Sequence, residues 1–151
     1  MNIRQKGAGG EREVYKMLNE IIKNVLIKLG YPEDIVAKAD KFIQRNQNQT
    51  AVGGNDLTNT FGLSIEVKRQ EGLSINTWWQ QCELAAHRNK EKPVLLYRQS
   101  HKEWKCVTDV MVPTPDNDFM YVRAEFGEAA FKLWFRAWVK AQLLSGYEMR
   151  S

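Results

Sequence analysis

The order of its segments predicts that this chain folds as an α/β domain, a mixed β-sheet flanked by helices. Three observations support the prediction. An amphipathic helical segment opens the chain, strand-like apolar segments lie before and after a central helical segment, and a long helical segment rich in aromatic residues closes it. Strands interleaved with helices favour a sheet covered by helices. Because 151 residues are enough for one domain with a core, we expect a single domain spanning residues 1–151.

The first two predicted elements are helices. Apolar residues recur at helical spacing from Val14 to Leu29, and Gly30 is a typical residue after a helix end. A shorter helix is predicted after Pro32, because proline suits the first position of a helix and the two acidic residues that follow suit its first turn.

The middle of the chain is predicted to form strands around one helix. An extended segment from Phe42 is expected to lead into a polar corner and then into a turn at residues 59–62. Leu63, Ile65 and Val67 alternate with polar residues, which is typical of a strand. The remaining predicted elements are a helix over residues 78–92, strands within 93–98 and 103–110, and a closing helix from about Phe126 to Gly146.

Composition and charge narrow the function classes. The sequence lacks any run of about 18 apolar residues, and its N-terminus is polar and charged. We therefore expect no membrane span, no signal peptide and a cytoplasmic protein. The two cysteines, Cys82 and Cys106, are too few for a disulfide framework and are expected to be reduced, partly buried thiols. A net charge of +4 is compatible with a polyanionic partner such as nucleic acid.

Asp56 and Glu66 are the candidate metal ligands. They lie ten positions apart, and the predicted turn between them would bring their carboxylates together. Mg²⁺ prefers oxygen ligands and often takes only one or two protein carboxylates, so Asp56, Glu66 and the main-chain carbonyl of Val67 could bind it. Lys68 shares its strand face with Glu66, where an ammonium could orient a water nucleophile or offset charge on a phosphodiester.

Two explanations of this strand remain open from its residues alone. Its polar face could simply be solvated, as in many half-buried antiparallel strands. Alternatively, the facing charges of Glu66 and Lys68 are explained if a metal and a phosphodiester lie between them.

These residues resemble the signature of PD-(D/E)xK nucleases, which here is Asn55-Asp56 followed by Glu66-Val67-Lys68. The N-terminal KGAGGEREVYKML is similar to the opening helix of archaeal-type Holliday-junction resolvases, and KPVLLYRQSHKEWKCV is similar to their closing strands. The resemblance spans about two-thirds of the chain and fades beyond residue 107.

The resemblance implies a single nuclease domain with a restriction-endonuclease-like fold, to which this chain adds a C-terminal helix. It implies a divalent metal cofactor, Mg²⁺, for which Mn²⁺ could substitute. It also implies that Glu11, the first glutamate of the ERE segment, faces the metal. The predicted catalytic residues are then Glu11, Asp56, Glu66 and Lys68, and the predicted metal ligands are Glu11, Asp56, Glu66 and Val67.

Basic residues near the acidic site are predicted to contact DNA phosphates, because carboxylates need nearby cations before a polyanion can approach. They are Arg4, Lys6, Arg12, Arg45 and Arg69. The neighbouring Glu13 is expected to be a solvated helix residue that pairs with Lys16 or another neighbour.

The aromatic residues raise two further expectations. Trp78 and Trp79 could stack on exposed bases, but adjacent tryptophans at a helix start are more often split between core and surface. The closing helix carries more aromatic side chains than one face needs, so part of them is expected at a subunit interface. These residues are Phe131, Trp134, Phe135 and Trp138.

The sequence therefore predicts a metal-dependent endodeoxyribonuclease, favoured as a Holliday-junction resolvase that acts on branched DNA as a homodimer. One alternative is a nuclease of the same fold that acts on ordinary duplex or on replication and repair ends. Another is a non-catalytic DNA-binding or partner-binding module. The intact set of Asp56, Glu66 and Lys68 argues against that second alternative.

Overall fold

The structure, a computed structural model, describes residues 3–46 and 55–149. Its helices are α1 (Ile3–Lys28), α2 (Glu33–Lys38), α3 (Ile75–Asn89) and α4 (Glu128–Leu144), with a single 3-10 turn at Ala39–Lys41. Its strands are β1 (Gln44–Arg45), β2 (Leu57–Thr58), β3 (Leu63–Arg69), β4 (Lys92–Arg98), β5 (Lys105–Pro113) and β6 (Phe119–Gly127). Most of the predicted polar corner lies outside the described residues.

Strands β3 to β6 form a mixed sheet in the order β3-β4-β5-β6. Helix α3 connects the parallel strands β3 and β4, whereas β5 and β6 are each antiparallel to the preceding strand. Alternate side chains of β4 face different helices: Val94 and Leu96 belong to the apolar cluster of α1 and α4, and Leu95 and Tyr97 to that of α3. The predicted fold, a mixed sheet flanked by helices with an added C-terminal helix, is confirmed.

Strand β3 is buried on both faces. Leu63, Ile65 and Val67 pack into the cluster formed with α1 and α4, as their alternation predicts. The polar face is not solvated, because α3 packs across it and leaves Ser64 and Glu66 only 0% and 7% exposed. The interpretation of Glu66 as a residue on a solvated strand face is therefore wrong.

The predicted turn at residues 59–62 is present and leads from β2 into β3. Asn59, Phe61 and Gly62 all have positive φ angles, of 59°, 56° and 80°. Positive φ is uncommon for residues other than glycine and is a marked outlier for a bulky side chain. Phe61 therefore requires support from the surrounding structure.

That support comes from aromatic packing around the fully buried ring of Phe61. The ring centroids of Phe42 and Tyr147 lie 5.5 and 4.5 Å from that of Phe61. The indole Nε1–H of Trp138 also donates a hydrogen bond to the carbonyl of Phe61, at 2.8 Å. Helix α4 and the C-terminal residues thus fix the turn that leads from Asp56 into β3.

Helix α3 begins three residues before the predicted start at Trp78 and ends at Asn89, because Lys90 adopts a left-handed conformation with φ of 55°. Both Trp78 and Trp79 are buried, in a cluster with Tyr97 from β4. The expectation that the two tryptophans are split between core and surface is therefore wrong.

Strand β6 is not predicted from the sequence. The predicted start of the closing helix, Phe126, lies inside this strand. In the structure β6 pairs with β5 along its whole length, and α4 begins at Glu128. The first residues of β6 are exposed on both faces. Without one buried face, the strand lacks the alternation of apolar and polar residues that identifies a half-buried strand.

The aromatic residues of α4 are used mainly inside the domain. Phe131 and Phe135 are fully buried. Trp134 is partly buried and packs against Phe131 and Trp138, with ring centroids 6.2 and 5.5 Å apart. Phe131 and Phe135 therefore belong to the core, and the expected subunit interface on this helix stays a prediction. The large apolar side chains that α4 exposes are Leu133 and Leu144.

Two further predictions concern the cysteines and the membrane. Cys82 and Cys106 are free thiols, as predicted, and both are buried. Within the described residues, no helix has the length and apolar character needed to cross a bilayer.

Candidate active site

Asp56 is fixed alongside strand β3 by hydrogen bonds to the backbone. Its N–H donates to the carbonyl of Ile65 at 3.0 Å, and its Oδ2 accepts a bond from the N–H of Val67 at 2.6 Å. Its carbonyl accepts a third bond from the N–H of Asn46, at 2.9 Å. The carboxyl group therefore lies beside the middle of β3, next to Glu66.

The carboxyl groups of Asp56 and Glu66 hydrogen-bond to each other. Burial raises the pKa of Asp56 well above its usual range, and the nearby charge of Glu66 raises it further. Burial also raises the pKa of Glu66, an effect that the ammonium of Lys68 opposes. Because both charged forms are disfavoured, a cation at this pair would relieve both desolvation and repulsion.

Glu11 contributes to this site from helix α1. It is only 8% exposed, and its negative charge raises the pKa of both Asp56 and Glu66. Its Oε2 accepts a hydrogen bond from Nε of Arg45, at 2.6 Å. A predicted metal ligand and a predicted DNA contact are thus bonded to each other, and Glu11 is directed toward Arg45.

The acidic centre is consequently a pair of carboxyl groups with a third nearby. In the part of the chain that the structure describes, no three side chains of His, Cys, Asp or Glu are grouped closely enough to hold one metal ion. The pair itself fits Mg²⁺, which commonly takes one or two carboxylates and fills its octahedron with water or phosphate oxygens. The N–H and C=O of one strand residue point to the same edge, so the carbonyl of Val67 lies on the Asp56 side of β3.

A second charged cluster connects α1 to the ends of β3 and β4. The carboxylate of Glu13 lies 3.5 Å from Nη1 of Arg69 and 3.3 Å from Nη1 of Arg98. The guanidinium of Arg98 also lies over the ring of Trp104, 5.7 Å from its centroid. The expectation that Glu13 pairs with a neighbour on its own helix is therefore wrong.

The sequence gives no signal for this cluster, because it depends on strand register. Arg69 and Arg98 are direct neighbours in the parallel pairing of β3 with β4. Helix α1 comes close to them at Gly10, where an added Cβ would lie 3.0 Å from Cβ of Arg69. Arg69, a predicted DNA contact, is thus held by Glu13.

We expect Glu13→Ala to lower the free energy of unfolding by about 1–2 kcal/mol, because it leaves two partly buried guanidinium groups without their carboxylate. Urea denaturation followed by circular dichroism measures the change. Glu20→Ala, at an exposed position of the same helix, is the matched control and should alter stability by less than about 0.5 kcal/mol. Equal stability of the two variants would show that the cluster does not contribute to the free energy of unfolding.

Two of the other predicted DNA contacts lie together beside the site. Arg12 and Arg45 line a cavity of about 420 Å³, together with Lys16 and Lys41, which are not among the predicted DNA contacts. Arg45 also belongs to the acidic centre through Glu11, so this basic cavity adjoins the site. The side chains of the remaining two predicted contacts, Arg4 and Lys6, lie outside the described part of the structure.

Comparisons with known proteins show similarity to nucleases. A family described as "Phage putative PDDEXK endonuclease" matches residues 2–131, which confirms the predicted resemblance to PD-(D/E)xK nucleases. Among solved structures, the Holliday junction resolvase Hjc of Archaeoglobus fulgidus is similar at 18% identity and a TM-score of 0.33, covering 68% of this chain and 92% of the resolvase. No curated protein matches the chain.

Proposed function

Because this chain belongs to the phage PDDEXK endonuclease family, we propose that it is a metal-dependent endodeoxyribonuclease that cuts branched DNA, and four-way junctions in particular, as a homodimer. One observation carries the catalytic part of the proposal. The carboxyl of Asp56, held by the N–H of Val67, lies beside the buried carboxyl of Glu66, and Lys68 follows on the same strand face.

The residues that would hold the metal are Asp56, Glu66 and the carbonyl of Val67. Mg²⁺ is the proposed ion, with Mn²⁺ able to substitute, because the donors are all hard oxygen atoms. When bound, the metal lowers the pKa of a water molecule and offsets negative charge on the phosphate. The partners of Asp56 keep its carboxyl oriented toward Glu66, so little reorganisation of the protein is needed when the ion binds.

Lys68 and Glu11 have different proposed roles. The ammonium of Lys68 lies close enough to Glu66 to affect its pKa, so it can donate a hydrogen bond to a water nucleophile or to an oxygen of the scissile phosphate. Glu11 orients Arg45 through the hydrogen bond between Oε2 and Nε, and a guanidinium has further N–H groups that can donate to phosphate.

The basic cavity beside Arg45 supports DNA as the substrate. Arg12, Lys16, Lys41 and Arg45 contribute four cations to it, and Asp40 is the one acidic residue among its lining side chains. Asp40 is itself paired with Lys23, at 3.5 Å. A phosphate backbone that enters through this cavity reaches the acidic centre next to the Glu11–Arg45 pair.

The proposed preference for junctions follows from two sites in one dimer. A four-way junction can present two scissile phosphates at once, whereas straight duplex must bend or use one site. Bending 20–30 base pairs by 40–90° costs about 1–6 kcal/mol, which corresponds to roughly one to four powers of ten in rate or affinity. We therefore expect paired incision of four-way DNA at least about tenfold faster than cutting of linear duplex of the same sequence.

The test is incubation of the protein with four-way, nicked, hairpin and linear DNA in Mg²⁺, in Mn²⁺ and in a chelator, at several salt concentrations. Junction cutting should require the metal, and binding should weaken steeply with salt. Equal rates on junction and linear DNA would favour the alternative, a general nuclease of the same fold. Binding without cutting in either metal would overturn the enzymatic proposal in favour of a non-catalytic module.

A further inference from the structure

The hairpin of β5 and β6 extends beyond the rest of the sheet. Strand β4 pairs with β5 only as far as Thr108, opposite Val94. Pairing of β5 with β6 continues for five more residue pairs, from Asp109–Arg123 to Pro113–Phe119. We call residues 109–123 the ribbon. In the described structure no strand pairs with the outer edge of β6.

The ribbon exposes large apolar side chains on both faces. Met111 lies opposite Tyr121 on one face, and Val112 lies opposite Met120 on the other. Tyr121 and Met120 are 68% and 52% exposed, and the adjacent Phe119 is also exposed. An isolated two-stranded hairpin is only marginally stable in water. A ribbon with two bare apolar faces, rich in methionine and aromatic residues, is typical of an interface.

Outside the ribbon, most exposed apolar side chains are dispersed over the surface. Helix α4 is the exception. Its outer face carries Leu133 and Leu144, each more than 60% exposed, at the two ends of a helical stripe. Between them lie the exposed cations Arg136 and Lys140. This stripe, 133–144, is therefore apolar and basic.

The charges of the two surfaces are complementary. The ribbon carries three aspartates and one arginine: Asp109, Asp116, Asp118 and Arg123. An acidic ribbon repels DNA, so a basic protein surface is a better partner for its apolar faces. It would also repel a second ribbon, whereas the basic stripe on α4 attracts it.

We propose that the ribbon of one copy docks on the outer stripe of α4 in a second copy, and that the two reciprocal contacts form the dimer. Exchange of the same contact around a two-fold axis closes the assembly at two copies. The inference rests on the proposed homodimer and specifies its interface. It also keeps a role for α4 in dimerisation, through exposed leucine and cationic residues and not through its buried aromatic residues.

The experiment measures the oligomeric state by sedimentation, independently of cleavage. The charge-reversed ribbon variant Asp116→Lys/Asp118→Lys and the charge-reversed helix variant Arg136→Asp/Lys140→Asp should each weaken the dimer at least about tenfold. An equimolar mixture of the two should form heterodimers readily, because one contact is native and the other, reversed on both sides, is attractive again. One chain carrying all four substitutions should regain the dimer. Leu84→Ser, at an exposed position on α3, is the control and should leave the dimer intact.

The possible outcomes separate the interface from the proposed function. A wild-type monomer at micromolar concentration would overturn both the dimer and this interface. A dimer unaffected by the reversals, or one not regained in the fourfold variant, would overturn the ribbon-to-helix contact alone. Hydrogen exchange tests the same contact in the wild-type protein, without any substitution. The amides of residues 119–123 should become more protected from exchange as the protein concentration rises.

Discussion

Asp56→Asn and Glu66→Gln are each expected to reduce DNA cleavage by at least about 10²-fold while DNA affinity stays nearly unchanged. Either change removes one carboxylate from the pair that would hold the metal. DNA affinity is expected to come mainly from basic side chains, such as those of the cavity lined by Arg12 and Arg45. Cleavage is measured on labelled four-way DNA and affinity by gel shift in the same buffer. Full activity in either variant would overturn the assignment of the site.

The same variants give a readout that does not depend on activity. In the wild type, burial and mutual repulsion disfavour the charged pair, so a cation that binds there should raise the melting temperature as its concentration increases. In Asp56→Asn and Glu66→Gln this response to Mg²⁺ or Mn²⁺ should be lost or much reduced. Asp34→Asn, at an exposed position on α2, is the control and should respond like the wild type.

Phe61→Ala should lower the free energy of unfolding by about 3–5 kcal/mol, as is typical for truncation of a buried phenylalanine. Phe61 is fully buried, and its ring packs between Phe42 and Tyr147. It also lies in the turn that leads from Asp56 into β3, at a positive φ of 56°. The loss is a large fraction of the stability of an ordinary domain, so cleavage should fail at a lower temperature than in the wild type.

Urea denaturation of the wild type and of Phe61→Ala measures this effect. Leu84→Ala removes an exposed apolar side chain from α3 and should change stability by less than about 0.5 kcal/mol. Tyr147→Leu tests the same cluster from the other side. It should also lower the free energy of unfolding, because the ring centroid of Tyr147 lies 4.5 Å from that of Phe61. A Phe61→Ala protein as stable as the control would show that the turn does not depend on this packing.

The elements that position the site could be predicted from local sequence patterns. Alternation of Leu63, Ile65 and Val67 identified β3, and Gly30 and Pro32 correctly marked the boundary between α1 and α2. These signals are local because strand and helix periods, helix ends and turn residues act over a few positions. The resemblance to PD-(D/E)xK nucleases was also contained in short segments, and the family match confirms it. The catalytic roles of the individual residues remain predictions.

Contacts between distant segments were decided only by the tertiary structure. Glu11 and Arg45 are 34 positions apart, and Glu13 and Arg98 are 85 positions apart. No periodicity links such residues, because helix packing and strand register bring them together. The burial of Glu66 under α3 is of the same kind: the sequence shows a charged residue on a strand, and only the packing of a helix against that face desolvates it. Strand β6 was not predicted because its first residues are exposed on both faces. Within the described residues no helix covers one face there, so the sequence shows no alternation of apolar and polar residues.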